Sequence, residues 1–314
     1  MPEKRTKPSP SHRLRPIGLI GLGLMGQAIA ERLRGGKLDV LGFDIASAPR
    51  TALAKLGGAR ATDAKEVLAQ CDRVILSLPD DKVASTVLRE ASKALQAGQV
   101  IIDTSTGSPE TTVTLGHRLA RRGVTYLDAT VSGNSEQVRK GEVVLMVGGP
   151  KTMFDQCRDL FRHFSKTAIH TGPCGSGAKM KLVTNLVLGL NRAALAEGLV
   201  FARALGLDGE QALAVLRASM AYSRIMDAKG RKMLRGDFRP QARLSQHLKD
   251  VQLMLAAAAN AGTTLPLSKT HRRILECAEA AGLGELDNSA LIRVIGRPNS
   301  APARKTKAPP HRAG

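Results

Sequence analysis

Short apolar runs alternate with helical patterns along the first half of the chain. The runs are rich in Val, Ile and Leu, as buried strands are. Amphipathic stretches such as Met25–Arg34 and Lys82–Leu95 lie between several of them. Strands spaced by helices predict a parallel, doubly wound sheet. The predicted strands are Ile17–Ile20, Val40–Phe43, Val74–Leu78, Val100–Ile102, Thr125–Leu127 and Val143–Val147.

From about residue 176 onward the apolar positions follow helical spacing, and we predict no further strand. Asp208 is placed to cap the second helix of this half, and Pro266 suits the first turn of the last one. The predicted helices cover residues 178–205, 208–220, 245–261 and 266–281.

These patterns predict an α/β fold class, in which an N-terminal Rossmann-type doubly wound sheet is followed by an all-α C-terminal domain. We expect a dinucleotide-binding domain over residues 16–172, an interdomain helix over 173–205 and a helical domain over 206–292. Residues 1–15 and 293–314 are basic and rich in Pro, Ser and Ala, and we expect disordered tails there.

The chain is strongly basic, with a net charge of +20 over 314 residues, and part of the excess lies in the two tails. Basic tails can contact nucleic acid or anionic surfaces. Solvated termini are the simpler interpretation, which we favour. Aromatic residues make up 3% of the chain, which argues against a stacking platform for single-stranded nucleic acid.

The sequence predicts a cytoplasmic protein. No apolar run reaches the roughly 18 residues of a membrane span, and the N-terminus lacks the apolar core of a secretory signal. A short organelle transit segment is a minor alternative. The four cysteines are far apart, so they predict neither a disulfide framework nor a metal site.

A glycine-rich turn lies between the first predicted strand and helix. Gly21, Gly23 and Gly26 form the pattern G-x-G-x-x-G, which provides a tight turn, a close approach to a pyrophosphate and close helix packing. We expect the phosphates of a dinucleotide at the start of this helix, where Leu24 and Met25 lie. A plain glycine turn is the structural alternative.

Asp44 ends the next predicted strand, at about the 20-residue offset at which an acid binds the ribose 2′-OH. Against a 2′-phosphate about 4 Å away, such a carboxylate would cost roughly 4 kcal/mol at an effective dielectric near 20. The next three residues include no Arg, although Arg50 is close in sequence. The prediction is NAD, with NADP as the alternative.

Two more loops follow predicted strands, at the sheet edge where α/β proteins bind ligands. Leu78 and Pro79 of the first loop are expected to contact the cofactor. Ser105 and Thr106 of the second either donate to a ribose or a substrate, or cap the helix before Glu110.

Four motifs follow one another along the chain: GLIGLGLMG at 18–26, DATVSG at 128–133, GPCGSGAKMKLVTN at 172–185 and LKDVQL at 248–253. In this order they resemble the β-hydroxyacid dehydrogenase family, which includes 3-hydroxyisobutyrate dehydrogenase and tartronate semialdehyde reductase. The resemblance runs from about residue 17 to residue 286.

The resemblance implies roles for the matching positions. Lys181 would be the catalytic lysine, and Asn185 would bind and orient the substrate. Ser132 and Gly133 would hold the substrate carboxylate. Asn134 follows them, and we expect it to contact the substrate as well.

The resemblance also implies that Thr106 contacts the cofactor and that Lys249 lies near the nicotinamide. The partner would be a small carboxylate substrate, and the chain would form a homo-oligomer, a dimer or a tetramer.

Lys179 competes with Lys181 for the catalytic role, but positions two apart lie about 200° apart on a helix and cannot face one cleft. We interpret Lys179 as a solvent or phosphate contact. A free lysine has a pKa of about 10.4, so a catalytic one needs burial to favour its neutral form. A lysine whose stem lies along the surface is the structural alternative.

The chain departs from the family pattern in the substrate loop. Thr130 stands for a proline and Asn134 for a second glycine, and Gln137 replaces a small residue. Asn134 and Gln137 either bond extra hydroxyls of a sugar-acid-like substrate or are surface changes.

The leading hypothesis is an NAD(P)-dependent oxidoreductase that transfers a hydride between the cofactor and a small 3-hydroxy acid or the matching semialdehyde. An imine or aldehyde reductase on the same scaffold is a second possibility. Imine-reducing relatives generally lack the lysine, so Lys181 disfavours that version. A third is a non-catalytic, cofactor-bound interaction protein that binds nucleic acid through its basic tails.

Overall fold

The computed structural model describes residues 15–296. Most of the two predicted basic tails therefore lies outside the described residues. At the described ends, Arg15 pairs with Asp72 (3.1 Å), and Arg293 ends a 3-10 helix, Asn288–Arg293.

One eight-stranded sheet organises the first part of the chain, with strand order β3-β2-β1-β4-β5-β6-β7-β8. The first six strands are all parallel and follow the order of the Rossmann fold, 3-2-1-4-5-6. The strands are β1 (Ile17–Ile20), β2 (Val40–Phe43), β3 (Ala59–Arg60), β4 (Arg73–Leu76), β5 (Val100–Asp103), β6 (Thr125–Ser132), β7 (Val144–Gly148) and β8 (Thr167–Gly172).

We predicted a parallel sheet, and one pair departs from that expectation, because β6 and β7 are antiparallel. Strand β8 was not predicted, since its sequence TAIHTG mixes polar with apolar residues. The two-residue strand β3 is too short to leave an apolar pattern.

Helices cover both faces of the sheet, as the doubly wound prediction requires. Leu19 and Ile75 point into a core shared with helices α1 and α8, whereas Ile20 and Leu76 point into a second core shared with α3, α4 and α5. The helices here are α1 (Leu24–Gly35), α2 (Ser47–Lys55), α3 (Ala64–Gln70), α4 (Asp81–Glu90), α5 (Pro109–Ala120), α6 (Ser135–Lys140), α7 (Lys151–Gln156) and α8 (Arg158–Phe164).

The remaining described chain is helical, as predicted, and the bounds of the four long helices agree with the predictions to within two residues. Asp208 caps α10 by accepting from Gln211 N (2.8 Å), and Pro266 lies in the first turn of α13. These helices are α9 (Ser176–Ala204), α10 (Gly209–Ala218), α11 (Arg231–Arg235), α12 (Leu244–Asn260) and α13 (Pro266–Ala280). A π-helix, Met226–Gly230, precedes α11 and was not predicted.

The described residues form two compact units that divide after residue 182, and α9 runs through the boundary. We call them the sheet unit and the helical unit. Helix α9 is also long and apolar enough to cross a membrane by length and composition alone, although core helices pass the same test. It contains no contiguous apolar run of that length, because Arg192 and several polar residues interrupt it.

A buried ion pair lies in the helical unit. Lys229 Nζ is 2.8 Å from Asp287 Oδ2, and both side chains are almost fully buried. Asp287 also accepts from Ser289 Oγ and from Gln241 N. Burial alone would raise the pKa of Asp287, but these bonds hold it at about 2. The pair therefore stays charged inside the unit.

Candidate active site

The glycine turn brings the start of α1 against the end of β1. Gly21 has a φ of +92°, which glycine adopts without strain, and its N–H donates to Phe43 O (2.9 Å). A Cβ on Gly26 would collide with the carbonyl of Gly21. The spacing of these two glycines therefore allows the helix to begin directly above the strand.

The start of α1 fits a dinucleotide phosphate. A Cβ on Gly23, the N-cap residue, would meet no atom within 4 Å, and no side chain caps the helix there. Leu24 is 80% exposed beside it, and Met25 is half-buried. The first N–H groups of α1 therefore face open space, where an anion can approach the positive end of the helix.

Asp44 anchors the glycine turn from the neighbouring strand. Its Oδ2 accepts from Leu22 N (2.7 Å), and its Oδ1 accepts from Ala46 N (2.9 Å). Each carboxylate oxygen has a second lone pair, so ribose hydroxyls can still donate to it. Arg50 lies nearby with its guanidinium 5.8 Å from the centre of the Phe43 ring.

The loops after β4 and β5 are bonded to each other. Ser105 Oγ accepts from Leu78 N (3.0 Å), just before Pro79. Ser108, not Ser105 or Thr106, caps α5 by accepting from Thr111 N (3.1 Å), which corrects the capping alternative. Thr106 is half-buried in this loop.

Two buried carboxylates, which sequence reasoning did not select, lie side by side, one at the end of β5 and the other within β6. Asp103 and Asp128 are register partners in the sheet. Asp103 accepts from Tyr126 Oη (2.7 Å) and Ser105 N (2.8 Å). Burial raises the pKa of Asp103, although these hydrogen bonds oppose the rise. The signal in the sequence was an Asp that ends each of two apolar runs.

Asp128 caps the segment that leads into α9. Its Oδ1 accepts from Gly175 N (2.9 Å), and its Oδ2 accepts from Ala178 N (2.8 Å). Burial raises the pKa of Asp128, and the backbone N–H bonds lower it. A carboxylate at this helix N-terminus also interacts favourably with the helix dipole. The first residue of the motif DATVSG therefore holds the first turn of the lysine-bearing helix.

Thr130 makes a second link between β6 and α9. Its Oγ1 donates to Gly177 O (3.0 Å), so the residue that replaces the family's proline joins strand to helix. Gly177 is needed for this approach, because a Cβ there would collide with the carbonyl of Asp128.

Lys181 makes the third link. Its Nζ donates to Val131 O (2.7 Å), one residue before Ser132, and the side chain is half-buried. Lys179 is exposed, as its position on the helix predicted. The amine of Lys181 thus lies at the strand end that leads into Ser132 and Gly133.

The residues after Ser132 form a tight turn into α6. Gly133 has a φ of +146°. Asn134 Oδ1 accepts from Gln137 N (2.9 Å), and Gln137 Oε1 accepts from Asn134 N (3.0 Å), which is a capping box. Two of the departures from the family pattern therefore cap a short helix.

The predicted residues of the helical unit lie on α9 and α12. Asn185 Nδ2 donates to Asp250 Oδ2 (3.3 Å), and Lys249, the neighbour of Asp250, is exposed. The motif LKDVQL is thus joined to the asparagine of α9. Across residues 15–296, no group of three or more His, Cys, Asp or Glu side chains is arranged to hold a metal ion.

Comparison with known proteins finds a matching family for each part of the chain. Residues 16–172 match the NAD binding domain of 6-phosphogluconate dehydrogenase, and residues 175–295 match the NAD-binding family of NADP-dependent 3-hydroxyisobutyrate dehydrogenase.

Individual relatives match over almost their whole length. The chain is 34% identical to 2-(hydroxymethyl)glutarate dehydrogenase of Eubacterium barkeri, over 88% of this chain and 94% of that protein. It is 31% identical to 2-hydroxy-3-oxopropionate reductase of Escherichia coli strain K12, over 89% and 96%. The structure of Mycobacterium tuberculosis 3-hydroxyisobutyrate dehydrogenase with L-serine superposes with a TM-score of 0.82 at 28% identity, over 89% and 98%.

The Rossmann sheet, its open glycine turn and the helical second part define a nicotinamide-dependent oxidoreductase. Within that class, the chain belongs to the β-hydroxyacid dehydrogenase family. The predicted family, fold class and NAD(P)-dependent enzyme class are confirmed.

The cap on α9 gives a testable prediction. Asp128→Asn removes one of two acceptors from buried backbone N–H groups, so we expect a loss of about 1–3 kcal/mol in the free energy of unfolding. Because the same cap holds the turn before Lys181, kcat should fall as well. Urea unfolding and steady-state kinetics measure the two effects.

Asp155→Asn is the matched control, since Asp155 is a more exposed carboxylate paired with Lys151 one turn away. We expect this change to cost less than about 0.5 kcal/mol. Equal stability losses in the two variants would contradict the role assigned to Asp128.

Proposed function

We propose that the protein is an NAD-preferring dehydrogenase of a small 3-hydroxy acid, working reversibly with the matching semialdehyde. The observation that carries this proposal is the bond from Lys181 Nζ to Val131 O, which holds an amine at the start of the Ser132–Gly133 turn. Residues 16–172 would bind the dinucleotide, and residues 206–292 would form the helical domain after an interdomain helix over 173–205. Cytoplasmic location is part of the proposal, supported by four free cysteines.

Each residue proposed to bind the substrate would have a distinct role. The Ser132 hydroxyl and the Gly133 N–H would hold the substrate carboxylate and so position the carbinol carbon. Asn185 would orient the substrate hydroxyl. The Asn134 side-chain oxygen is engaged in its cap, so its Nδ2 is the donor that a substrate hydroxyl would meet.

The cofactor contacts surround the glycine turn. Gly21, Gly23 and Gly26 would receive the pyrophosphate, and Asp44 the adenosine ribose. The paired loops of Leu78, Pro79 and Thr106 would border the nicotinamide half, and Lys249 would lie near the ring. When bound, NAD accepts the hydride from the carbinol carbon.

Lys181 would accept the hydroxyl proton as the carbonyl forms. Oxidation of the alcohol releases one hydride and one proton, so a base must take the proton. In the reverse direction the Lys181 ammonium would return the proton to the developing alkoxide. The relatives named for hydroxymethylglutarate and hydroxyoxopropionate support a substrate that bears a carboxylate next to the reacting carbons.

Loss of the amine should stop turnover. We expect Lys181→Ala to lower kcat by about 10²–10⁴-fold, because a general acid/base is removed, while the Kd for NAD stays unchanged. A panel of 3-hydroxy acids and semialdehydes, followed by NADH absorbance, gives the rates, and a fluorescence titration gives the Kd.

Lys179→Ala is the control, because Lys179 is exposed on the same helix. It should leave kcat within about twofold of the wild type. Near wild-type kcat in Lys181→Ala would overturn the assignment.

Asp44 should set the choice of cofactor. We expect Asp44→Asn to reduce the ratio of kcat/KM for NAD to that for NADP by about tenfold or more, since a like-charge repulsion worth several kcal/mol is removed. The ratio cancels any general loss of activity. Asp39→Asn, an exposed carboxylate beside Arg34, should leave the ratio unchanged. A wild-type enzyme that prefers NADP by tenfold or more would contradict the proposal.

A homo-oligomer is also proposed. The helical unit exposes large apolar side chains, among them Val187, Phe201 and Val215, each more than half exposed. Clusters of such residues favour contact with another protein surface. Sedimentation analysis should give the mass of two or four chains, and a monomer at micromolar concentration would exclude it.

A further inference from the structure

A buried polar cluster in the helical unit has no part in the proposed reaction. It consists of Arg192 from α9, His247 from α12 and His271 from α13, and we call it the Arg192 cluster. The three residues are 3%, 5% and 3% exposed, respectively. Buried groups of this kind are normally hydrogen-bonded, and a buried charge is normally paired.

The described residues leave the Arg192 cluster unsatisfied. Arg192 Nε and Nη1, His247 Nε2 and His271 Nε2 are all buried and have no hydrogen-bond partner within residues 15–296. The charges of Asp287 and Asp250 act on Arg192, but Asp287 pairs with Lys229, and neither carboxylate is bonded to Arg192 Nε or Nη1. Arg192 Nε and Nη1 are therefore buried without a direct ion pair within residues 15–296.

The space around the cluster is tight. The two imidazole rings lie 5.1 Å apart between centres. A Cβ on Gly189 would lie 2.7 Å from His247 Nε2 and 2.9 Å from His271 Cε1, so the rings rest directly on α9. A ligand that bonds all three packed side chains at once would have to be small, which favours a single-atom anion over phosphate or an organic carboxylate.

The unsatisfied groups call for an acceptor. Arg192 offers only N–H donors, and a neutral histidine offers an N–H at Nε2 in one of its two tautomers. Burial, with the charge of Arg192, lowers the pKa of His271 to about 4 and that of His247 well below its usual range, so both rings are neutral near pH 7. The three side chains of the cluster then carry a single positive charge, that of Arg192, which favours a monovalent anion over a more highly charged one.

We propose that the Arg192 cluster binds a chloride-sized monovalent anion through Arg192 Nε and Nη1 and the Nε2 groups of the two histidines. The site lies among α9, α12 and α13, so the anion would link the three main helices of the unit. Because the unfolded chain does not assemble this site, binding would stabilise the folded protein by mass action.

Thermal unfolding tests the proposal on the whole protein. The ionic strength is kept constant with sodium gluconate, whose anion is too large for the site. Under these conditions we expect Tm to rise by roughly 2–4 °C as sodium chloride is added, and then to stay constant once the site is saturated. Arg192→Met should abolish the chloride-specific rise. Arg203→Met, at an exposed position of the same helix, should keep it. A rise that survives Arg192→Met, or no chloride-specific rise in the wild type, would overturn the proposal.

Crystals of the wild-type protein grown in sodium bromide give a test that needs no variant. A bromide anomalous peak within hydrogen-bond distance of Arg192 and the histidines would support the site. An ordered water at that place, without an anomalous peak, would reject it. Both outcomes are independent of the catalytic proposal, since they require neither substrate nor turnover.

Discussion

The attachment of α9 to β6 is the constraint on which the proposed chemistry depends. Within four residues of one strand, the Asp128 carboxylate, the Thr130 hydroxyl and the Val131 carbonyl each bond the first turns of the helix. Gly177 allows the close approach, because any larger residue there would meet the backbone of Asp128. An amine at the end of a long flexible side chain is thereby fixed at a chosen sheet edge, beside the turn proposed to bind the carboxylate. Such positioning supplies much of the advantage of an enzyme over free lysine in water.

Departures from the family pattern leave the arrangement intact because their side chains form hydrogen bonds of their own. Thr130 replaces a proline, yet its hydroxyl adds a bond between strand and helix. Asn134 and Gln137 replace small residues, and their side chains close a capping box. In each case the new polar group bonds a backbone group, across to α9 for Thr130 and within the turn for Asn134 and Gln137, so it adds a bond without leaving an unpaired group. These substitutions can then affect the choice of substrate only through side-chain atoms that do not take part in the bonds just described.

Two buried cations of the helical unit, Lys229 and Arg192, have different surroundings. Lys229 and Asp287 neutralise each other and are joined by further hydrogen bonds. Arg192 is buried to a similar degree, but the neighbouring imidazole rings offer no negative charge. Both arrangements place charge where several helices meet, and burial makes an uncompensated charge costly in either place. Lys229 has a bonded carboxylate and Arg192 has none at Nε or Nη1, and for this reason the external anion is proposed beside Arg192.

The sequence by itself determined the elements with strong local signals. Apolar period, the cap at Asp208, Pro266 and the spacing of Gly21, Gly23 and Gly26 all act within a few residues, so the first sheet strands, the long helices and the dinucleotide turn were predictable. Helical geometry also separated Lys181 from Lys179. Only the tertiary structure decided the antiparallel pairing of β6 with β7, the part of Asp128 in capping α9, and the meeting of Arg192 with two histidines. Those features join residues about 12 to 80 positions apart, and no local pattern encodes a contact formed by packing of distant segments.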